Sequence, residues 1–314
     1  MLIQSFRRPD RLRSREKGDK VLTLMDAASL ASTTALDLAN ADLSPDFVAV
    51  SFYKIFGLPD LGALVVQKRH ASLLRRRRYF GGGTVDMVTS KPYAWHALKE
   101  GCIHEVLEDG TLPFHSIIAL GHAIDVHEEI YGPDPMLAIS KNTMALSKEL
   151  RRLLLGLRHG NGKPVVMLYG DQNFQHTHSS SQGAVIALSI LRADGSLVGH
   201  KEVEHRANEH NIYVRSGSLC NPGGVATYLG WDSEALRQAH DAGHSCSKPF
   251  QFVLGRPTGV VRISLGAASV VSDIHAFVRF VQQTYVVLDD SDTIELTMRD
   301  NLVTLQDRLD TCSL

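Results

Sequence analysis

The sequence predicts an α/β fold in two parts, on three observations. Short runs that are apolar throughout, at 21–25, 47–51 and 62–66, fit strands of a sheet covered on both faces, because a strand with one wet face would alternate. Helical stretches lie around 115–131 and 136–155. Between them Gly132-Pro133-Asp134-Pro135 breaks the pattern, and strands begin afresh at 164–169. This mixture implies helices flanking a mainly parallel or mixed sheet. The chain accordingly divides near residue 136, with a first domain over 1–135 and an α+β domain over 136–314.

Taken in order, the first twenty residues are polar and basic and read as a surface segment. The run Val21-Leu22-Thr23-Leu24-Met25 ends at Asp26, a strand closed by a carboxylate. Pro45-Asp46 introduce the run 47–51, and 62–66 is a third strand rich in Val and Leu. In the second part, 164–169 and 183–190 read as strands and 202–208 as a polar helix. A strand at 212–215 is expected to pair with 260–265. A final helix over 272–284 puts Ile274, Phe277, Phe280 and Val281 on one face at helical spacing. There is no internal repeat.

Composition narrows the function classes. The 314 residues, 44% hydrophobic and 21% charged, are ordinary for a globular protein and enough for a sizeable core. A formal net charge of -1 gives no global electrostatic case for nucleic acid or membrane binding. No apolar run approaches a membrane span, and residues 1–8 lack the apolar core and cleavage site of a signal peptide. Cys102, Cys220, Cys246 and Cys312 are irregularly spaced, which argues against a zinc site, and His176 and His178 have no ligand-type neighbours; no metal is expected. Reduced thiols and a cytoplasmic location follow from the missing signal peptide. The Arg75 to Arg78 run is expected as a solvated helix face, and most histidines as surface residues.

Chemistry is concentrated in a few places. Lys54 follows an apolar run and precedes a Gly- and Pro-marked turn, so it is expected at the end of a buried strand. Burial disfavours an ammonium, and a neutral amine is a nucleophile toward carbonyls; taken alone, Lys54 also reads as a lysine snorkelling from a strand end. Asp26 lies where α/β proteins place ligands, at the carboxyl edge of a sheet, although a lone Asp there also serves as a turn or cap residue. Arg262 sits on an apolar strand, where an unpaired guanidinium is costly; it needs a carboxylate, from substrate or from an internal salt bridge. Cys220 lies in a loop rich in turn residues, Ser216 to Gly224, where a mobile thiol fits as well as an inert one.

Several segments, in order, carry a family resemblance. Ser51-Phe52-Tyr53-Lys54 resembles the serine-x-(His/Tyr)-lysine signature of the class V aminotransferase and cysteine desulfurase superfamily. Met25-Asp26-Ala27-Ala28-Ser29, Phe80-Gly81-Gly82-Gly83-Thr84-Val85, Glu108-Asp109-Gly110-Thr111, Arg215-Ser216-Gly217-Ser218-Leu219-Cys220-Asn221-Pro222-Gly223, Ala242-Gly243-His244-Ser245-Cys246 and Gly255-Arg256-Pro257-Thr258-Gly259 through Gly266 resemble the desulfurase domain of eukaryotic molybdenum cofactor sulfurases. The resemblance runs from about residue 21 to 285. It implies fold type I of the transferases dependent on pyridoxal 5'-phosphate (PLP), with 1–135 a partial PLP-binding large domain and 136–314 the small domain with the nucleophile loop. Lys54 would be the Schiff-base lysine and Asp26 the partner of the pyridine nitrogen. Ser29 would lie near the phenolic oxygen, and Ser51 and Tyr53 on the phosphate. Gly81, Gly82, Gly83 and Thr84 would form a loop reaching a phosphate across a dimer interface. Arg262, assisted by Arg215, would hold the substrate carboxylate, and Cys220 would take sulfur as a persulfide; Cys246 reads as structural. Ser218 and Val225 depart from the family, which often has cysteines there.

The expected activity is sulfur transfer from L-cysteine to molybdenum cofactor or a sulfur-acceptor protein, in a homodimer if full-length. Alternatives are a PLP-dependent lyase or carbon–carbon bond-forming enzyme of specialised metabolism, or a truncated non-catalytic paralogue. The family's phosphate-binding turn and ring-stacking residue, expected before Asp26, are not located in the first twenty residues, and family members continue into a further C-terminal domain. A fragment or a reduced paralogue is therefore expected, with exposed sheet edges or helix faces.

Overall fold

The computed structural model describes residues 21–40, 43–170, 183–245 and 247–288. Cys246, Cys312, His176 and His178 lie outside these. The chain forms two compact units, residues 1–140 and 141–314.

The first unit opens with β1 (Leu24–Asp26) and, after a 3-10 turn at Leu30–Ser32, β2 (Phe47–Ser51). The chain then turns at once into a one-turn helix, α1 (Phe52–Phe56), and returns as β3 (Gly62–Val66). Gly57, at φ 78, ends α1 in the left-handed conformation that glycine adopts without penalty. β2 is central, parallel to β1 and antiparallel to β3, so the sheet is mixed. Asp46, at its start, is almost fully buried and accepts from Thr23 N at 2.8 Å and faces His70 Nε2 at 3.0 Å, which fixes the strand's entry. Ala27, Ala31 and Val48 form the buried cluster of this unit, with Ile55 of α1 packed on it.

Cover on both faces of this sheet, expected from its apolar runs, is not found among the described residues. Leu64 and Val65 are adjacent in β3, hence on opposite faces, and both are exposed. After α2 (Ala71–Leu74) comes a hairpin, β4 (Val85–Thr89) and β5 (Trp95–Leu98), which the sequence did not announce. α3 (Ile103–Leu107) and α4 (Phe114–Tyr131) follow. α4 exposes Phe114, Ile118, Val126 and Ile130, apolar residues on more than one side of the helix. The boundary between the units falls within α5 (Pro135–Gly156).

The second unit is built on a sheet of β6 (Val166–Tyr169), β7 (Val185–Ile190), β8 (Arg215–Gly217) and β11 (Val260–Ser264), in the order β6-β7-β11-β8 and antiparallel throughout. α6 (His200–Glu209) precedes β8; α7 (Pro222–Leu229), α8 (Ser233–Asp241) and the short pair β9 (Phe252–Val253) and β10 (Arg256–Pro257) lie between β8 and β11. α9 (Val271–Tyr285) buries Ile274, Phe277, Phe280 and Val281, the face its spacing predicts. These pack with Leu146, Leu150 and Leu154 of α5 and Ile186, Leu188 and Ile190 of β7. Each such side chain contributes about 1.5–3 kcal/mol of burial. No helix among the described residues is long and apolar enough to cross a membrane.

Candidate functional site

In the first unit, the parallel pairing of β1 with β2 sets Asp26 opposite Ala49, so both strands end at the same sheet edge. Asp26, Ser29, Ser51, Tyr53 and Lys54 all lie at or just beyond that edge. Asp26 is exposed and accepts from Ala28 N at 3.0 Å, an Asx turn that steadies the carboxylate. Ser51 caps α1 by position but makes no capping bond with its hydroxyl. Lys54 is exposed, with Nζ 6.0 Å from the Tyr53 ring centroid. It stands on α1 beyond the strand, not at a buried strand end, because the chain becomes helical directly after Ser51. The opposite, apolar side of α1 (Phe52, Ile55, Phe56) lines a cavity of ≈ 320 Å³ with His127, whose Nε2 is buried without a partner among the described residues.

The glycine turn has a tight internal architecture. Gly81 N donates to Asp109 Oδ1 at 2.6 Å, Gly83 N to Asp109 O at 2.8 Å, and the buried Thr84 hydroxyl to Gly81 O at 2.9 Å. A β-carbon at Gly81 would strike Asp109 and one at Gly83 the Glu108 carbonyl, so both positions require glycine for close approach. Gly82 is exposed with open space around its Cα. Arg77 grips the Asp109 carboxylate with two bonds, at 2.6 and 2.8 Å, and Val106 O at 2.7 Å. The Arg77 bond and the Gly81 N–H hold the Asp109 carboxyl below the usual carboxylate range. The arginine run is thus not a solvated helix face: α2 ends at Leu74, and Arg77 is a structural anchor while Arg75, Arg76 and Arg78 are exposed.

In the second unit, Arg215 and Arg262 are direct cross-strand partners of β8 and β11. Arg262 is half-buried, and its Nε is buried without a partner among the described residues. Burial, then the neighbouring Arg215, lower its pKa, and the Cys220 sulfur partly opposes this. Arg215 Nη2 lies 3.8 Å from Cys220 Sγ. The loop presenting Cys220 is held in an unusual conformation: Gly217, Leu219 and Cys220 have φ of 107, 57 and 54. Asn221 closes it by capping α7, accepting from Gly224 N at 3.0 Å ahead of Pro222. Two cavities flank the loop. One, of ≈ 130 Å³ and lined by Tyr169, Leu219, Val225 and Tyr228, is mainly apolar. The other, of ≈ 180 Å³, is lined by His200, Arg215, Ser216, Cys220, His244 and Thr258.

The fold therefore gathers the predicted acid, amine and hydroxyls at one edge of the first unit, and the predicted arginines and thiol beside one loop of the second. Sequence reasoning passed over His200, Glu204 and the roles of Ser216, His244 and Thr258. His200 is buried, as are His70, His127 and His159 against the general surface expectation, and no spacing rule marks it. Among the described residues no group of His, Cys, Asp and Glu is arranged to hold a metal.

Comparison with known proteins places this geometry in context. Residues 9–277 match the family model described as aminotransferase class-V. A molybdenum cofactor sulfurase of Neosartorya fischeri is 50% identical over 269 residues, covering 86% of this chain and 31% of that protein. One of Aspergillus niger is 46% identical over 274 residues, covering 87% and 33%. The chain thus spans about a third of the length of these curated relatives. Among solved structures, a cysteine desulfurase from Thermococcus onnurineus aligns with a TM-score of 0.56 at 20% identity, over 84% of this chain and 52% of that one. The cysteine desulfurase CsdA of Escherichia coli aligns with a TM-score of 0.54 at 20% identity, over 84% and 51%. These two likenesses concern the fold.

Proposed function

Because the chain belongs to the aminotransferase class-V family, we propose that it is a PLP-dependent, cysteine desulfurase-like protein that takes sulfur from L-cysteine as a persulfide on Cys220. The observation that carries this reading is the grouping of Arg262, Arg215 and Cys220, two guanidinium groups on paired strands and a thiol in the loop that follows one of them. The donor set at the edge of the first unit fits PLP: an exposed amine, a turn-steadied carboxylate and hydroxyls free of capping duty. PLP, when bound, supplies an electron sink for negative charge at the α-carbon of an amino acid. Lys54 would hold it through its amine and is the group suited to moving protons when free. Asp26 would keep the pyridine nitrogen protonated, Ser29 would face the phenolic oxygen, and Ser51 and Tyr53 would bind the phosphate. Gly82 is the member of the glycine turn left open to a phosphate, with Gly83 and Thr84 shaping the turn.

Arg262 would bind the substrate carboxylate, which supplies the acceptor its buried Nε lacks, and Arg215 would assist. Arg215 also stands beside the Cys220 sulfur, which attacks as the thiolate. That thiolate attacks the substrate sulfur; the carbon–sulfur bond breaks and L-alanine leaves, so cysteine plus thiol becomes alanine plus persulfide. Molybdenum cofactor or a sulfur-acceptor protein is the proposed onward acceptor, which the names of the curated relatives support. A homodimer and a cytoplasmic location complete the proposal.

Purified protein mixed with PLP is expected to develop the visible absorbance of lysine-bound PLP, which Lys54→Ala lacks. With L-cysteine it is expected to release alanine and to gain an equal amount of persulfide on Cys220. Absence of alanine sinks the sulfur reading. Equal spectra for the wild type and Lys54→Ala sink the PLP reading and leave a non-catalytic protein.

A further inference from the structure

The first unit holds a cavity that the reaction above does not use. Its volume is ≈ 320 Å³, and Phe52, Ile55 and Phe56 of α1 form one wall. At helical spacing these three share one face, so Lys54 falls off it and stands outside the lining. An engineered apolar cavity of about 150 Å³ takes one benzene ring, so this one has room for two fused rings. The lining also includes His127 of α4, which is buried, with 9% of its surface exposed. Its ring meets Phe56 edge-on, with centroids 5.0 Å apart, and Tyr131 with centroids 4.8 Å apart. These ring contacts hold the imidazole but offer nothing to Nε2, which is buried without a hydrogen-bond partner among the described residues. An orphaned buried nitrogen is unfavourable, and an occupant that supplies its partner removes that penalty.

The wall sets the chemistry of the occupant. Burial lowers the His127 pKa, so the imidazole is neutral, with one N–H and one lone pair. The tautomer decides which of the two sits on Nε2, and a hydroxyl answers either, because it both donates and accepts. The other polar residues of the wall are Thr34 and Glu128, and an acid there disfavours an anionic ligand. Water is a poor occupant, since it needs roughly two to four polar partners and most of the lining is apolar. We propose that this cavity binds a small uncharged aromatic alcohol, with its rings against Phe52, Ile55 and Phe56 and its hydroxyl on His127 Nε2. The second torsion of a histidine is soft, so a small turn of the imidazole brings the nitrogen to the hydroxyl. The site lies within the first unit and needs neither PLP nor L-cysteine, so it stands independently of the sulfur-transfer reading.

Two probes test the site, 2-naphthol and 2-methylnaphthalene, which share two fused rings and differ only in hydroxyl against methyl. Each is titrated into the full chain without PLP or L-cysteine and followed by its fluorescence. Saturable binding of 2-naphthol, one per chain, is expected. The affinity ratio of 2-naphthol to 2-methylnaphthalene is expected to fall about tenfold in His127→Phe, which keeps a ring and removes the nitrogen. Comparing ratios cancels the unequal hydrophobicity of the probes. His127→Gln, whose amide both donates and accepts, is expected to keep most of the wild-type ratio. In the wild type, 2-naphthol is also expected to shift the nitrogen resonances of the His127 imidazole, a measurement that needs no variant. A ratio unchanged in His127→Phe marks a merely greasy face and overturns the proposal. So does a lack of saturable 2-naphthol binding, or binding that weakens as protein concentration rises because a second copy fills the cavity.

Discussion

At the residue scale, Arg262 and Asp109 show opposite ways of placing a charge. Arg262 is half-buried beside another guanidinium, with an orphaned Nε. Replacing such a group by a similar apolar shape is often neutral or stabilising. Arg262→Met is therefore expected to leave the denaturant midpoint unchanged or raised. It should weaken kcat/KM for L-cysteine by about 2 kcal/mol or more, roughly thirtyfold. A large loss of stability would show that the arginine is structural instead. Asp109 is fully paired, and Arg77 and Gly81 N–H depress its pKa in the folded state. The sign follows: its stabilisation is present above the unfolded carboxylate range and fades as pH falls through the depressed folded value. The melting-temperature deficit of Asp109→Asn is thus expected to be largest near neutrality and to vanish on strong acidification; a deficit constant with pH would contradict it. The anionic need of Arg262 was legible in the sequence, because a guanidinium on an apolar strand is conspicuous. The Arg77–Asp109 pair was not, since it joins positions 32 apart.

At the element scale, the loop presenting Cys220 is held where β8 pairs with β11. A β-carbon on Gly259 would fall on the Gly217 backbone, so the two segments touch only because Gly259 lacks a side chain. Gly259→Ala is expected to destabilise the second unit by about 1–3 kcal/mol, as overpacking does, read from its denaturant midpoint. Continuous apolar runs made β2, β3 and β7 readable, and helical spacing did so for α9. β8 was displaced: Ile212 and Val214 pack on the core, but ladder pairing with β11 begins only at Arg215. α1 escaped notice because five residues carry no helical period, and the apolar run of β2 continues into Phe52. The hairpin of β4 and β5 was hidden by a register shift between Val85 and Met87, which breaks the alternation a strand would show.

At the scale of the whole molecule, the two units have unequal cores. The first rests on a cluster of small residues and one valine, Ala27, Ala31 and Val48. The second packs α5, α6, α9 and its sheet around a far larger apolar interior. Calorimetry is expected to resolve two transitions, the first unit melting at lower temperature. PLP at a hundred times its dissociation constant is expected to stabilise the first transition by about 2.7 kcal/mol, leaving the second in place, with no such effect in Lys54→Ala. A single transition, or a shift confined to the second, would contradict this assignment. A break at Gly132 to Pro135 could be read from the sequence, as could the ordered motifs of each half. The weakness of the first core could not, because its apolar strands look as buried in sequence as those of the second.

The facing pair of Arg215 and Arg262 has a practical consequence. Two like charges on adjacent strands will recruit whatever small anion the solution offers, so buffer composition becomes a kinetic variable. Sulfate and phosphate should act as competitive inhibitors toward the amino acid, raising its apparent KM without changing the maximal rate. Affinities measured in those salts would then describe displacement of the buffer as much as recognition of the substrate.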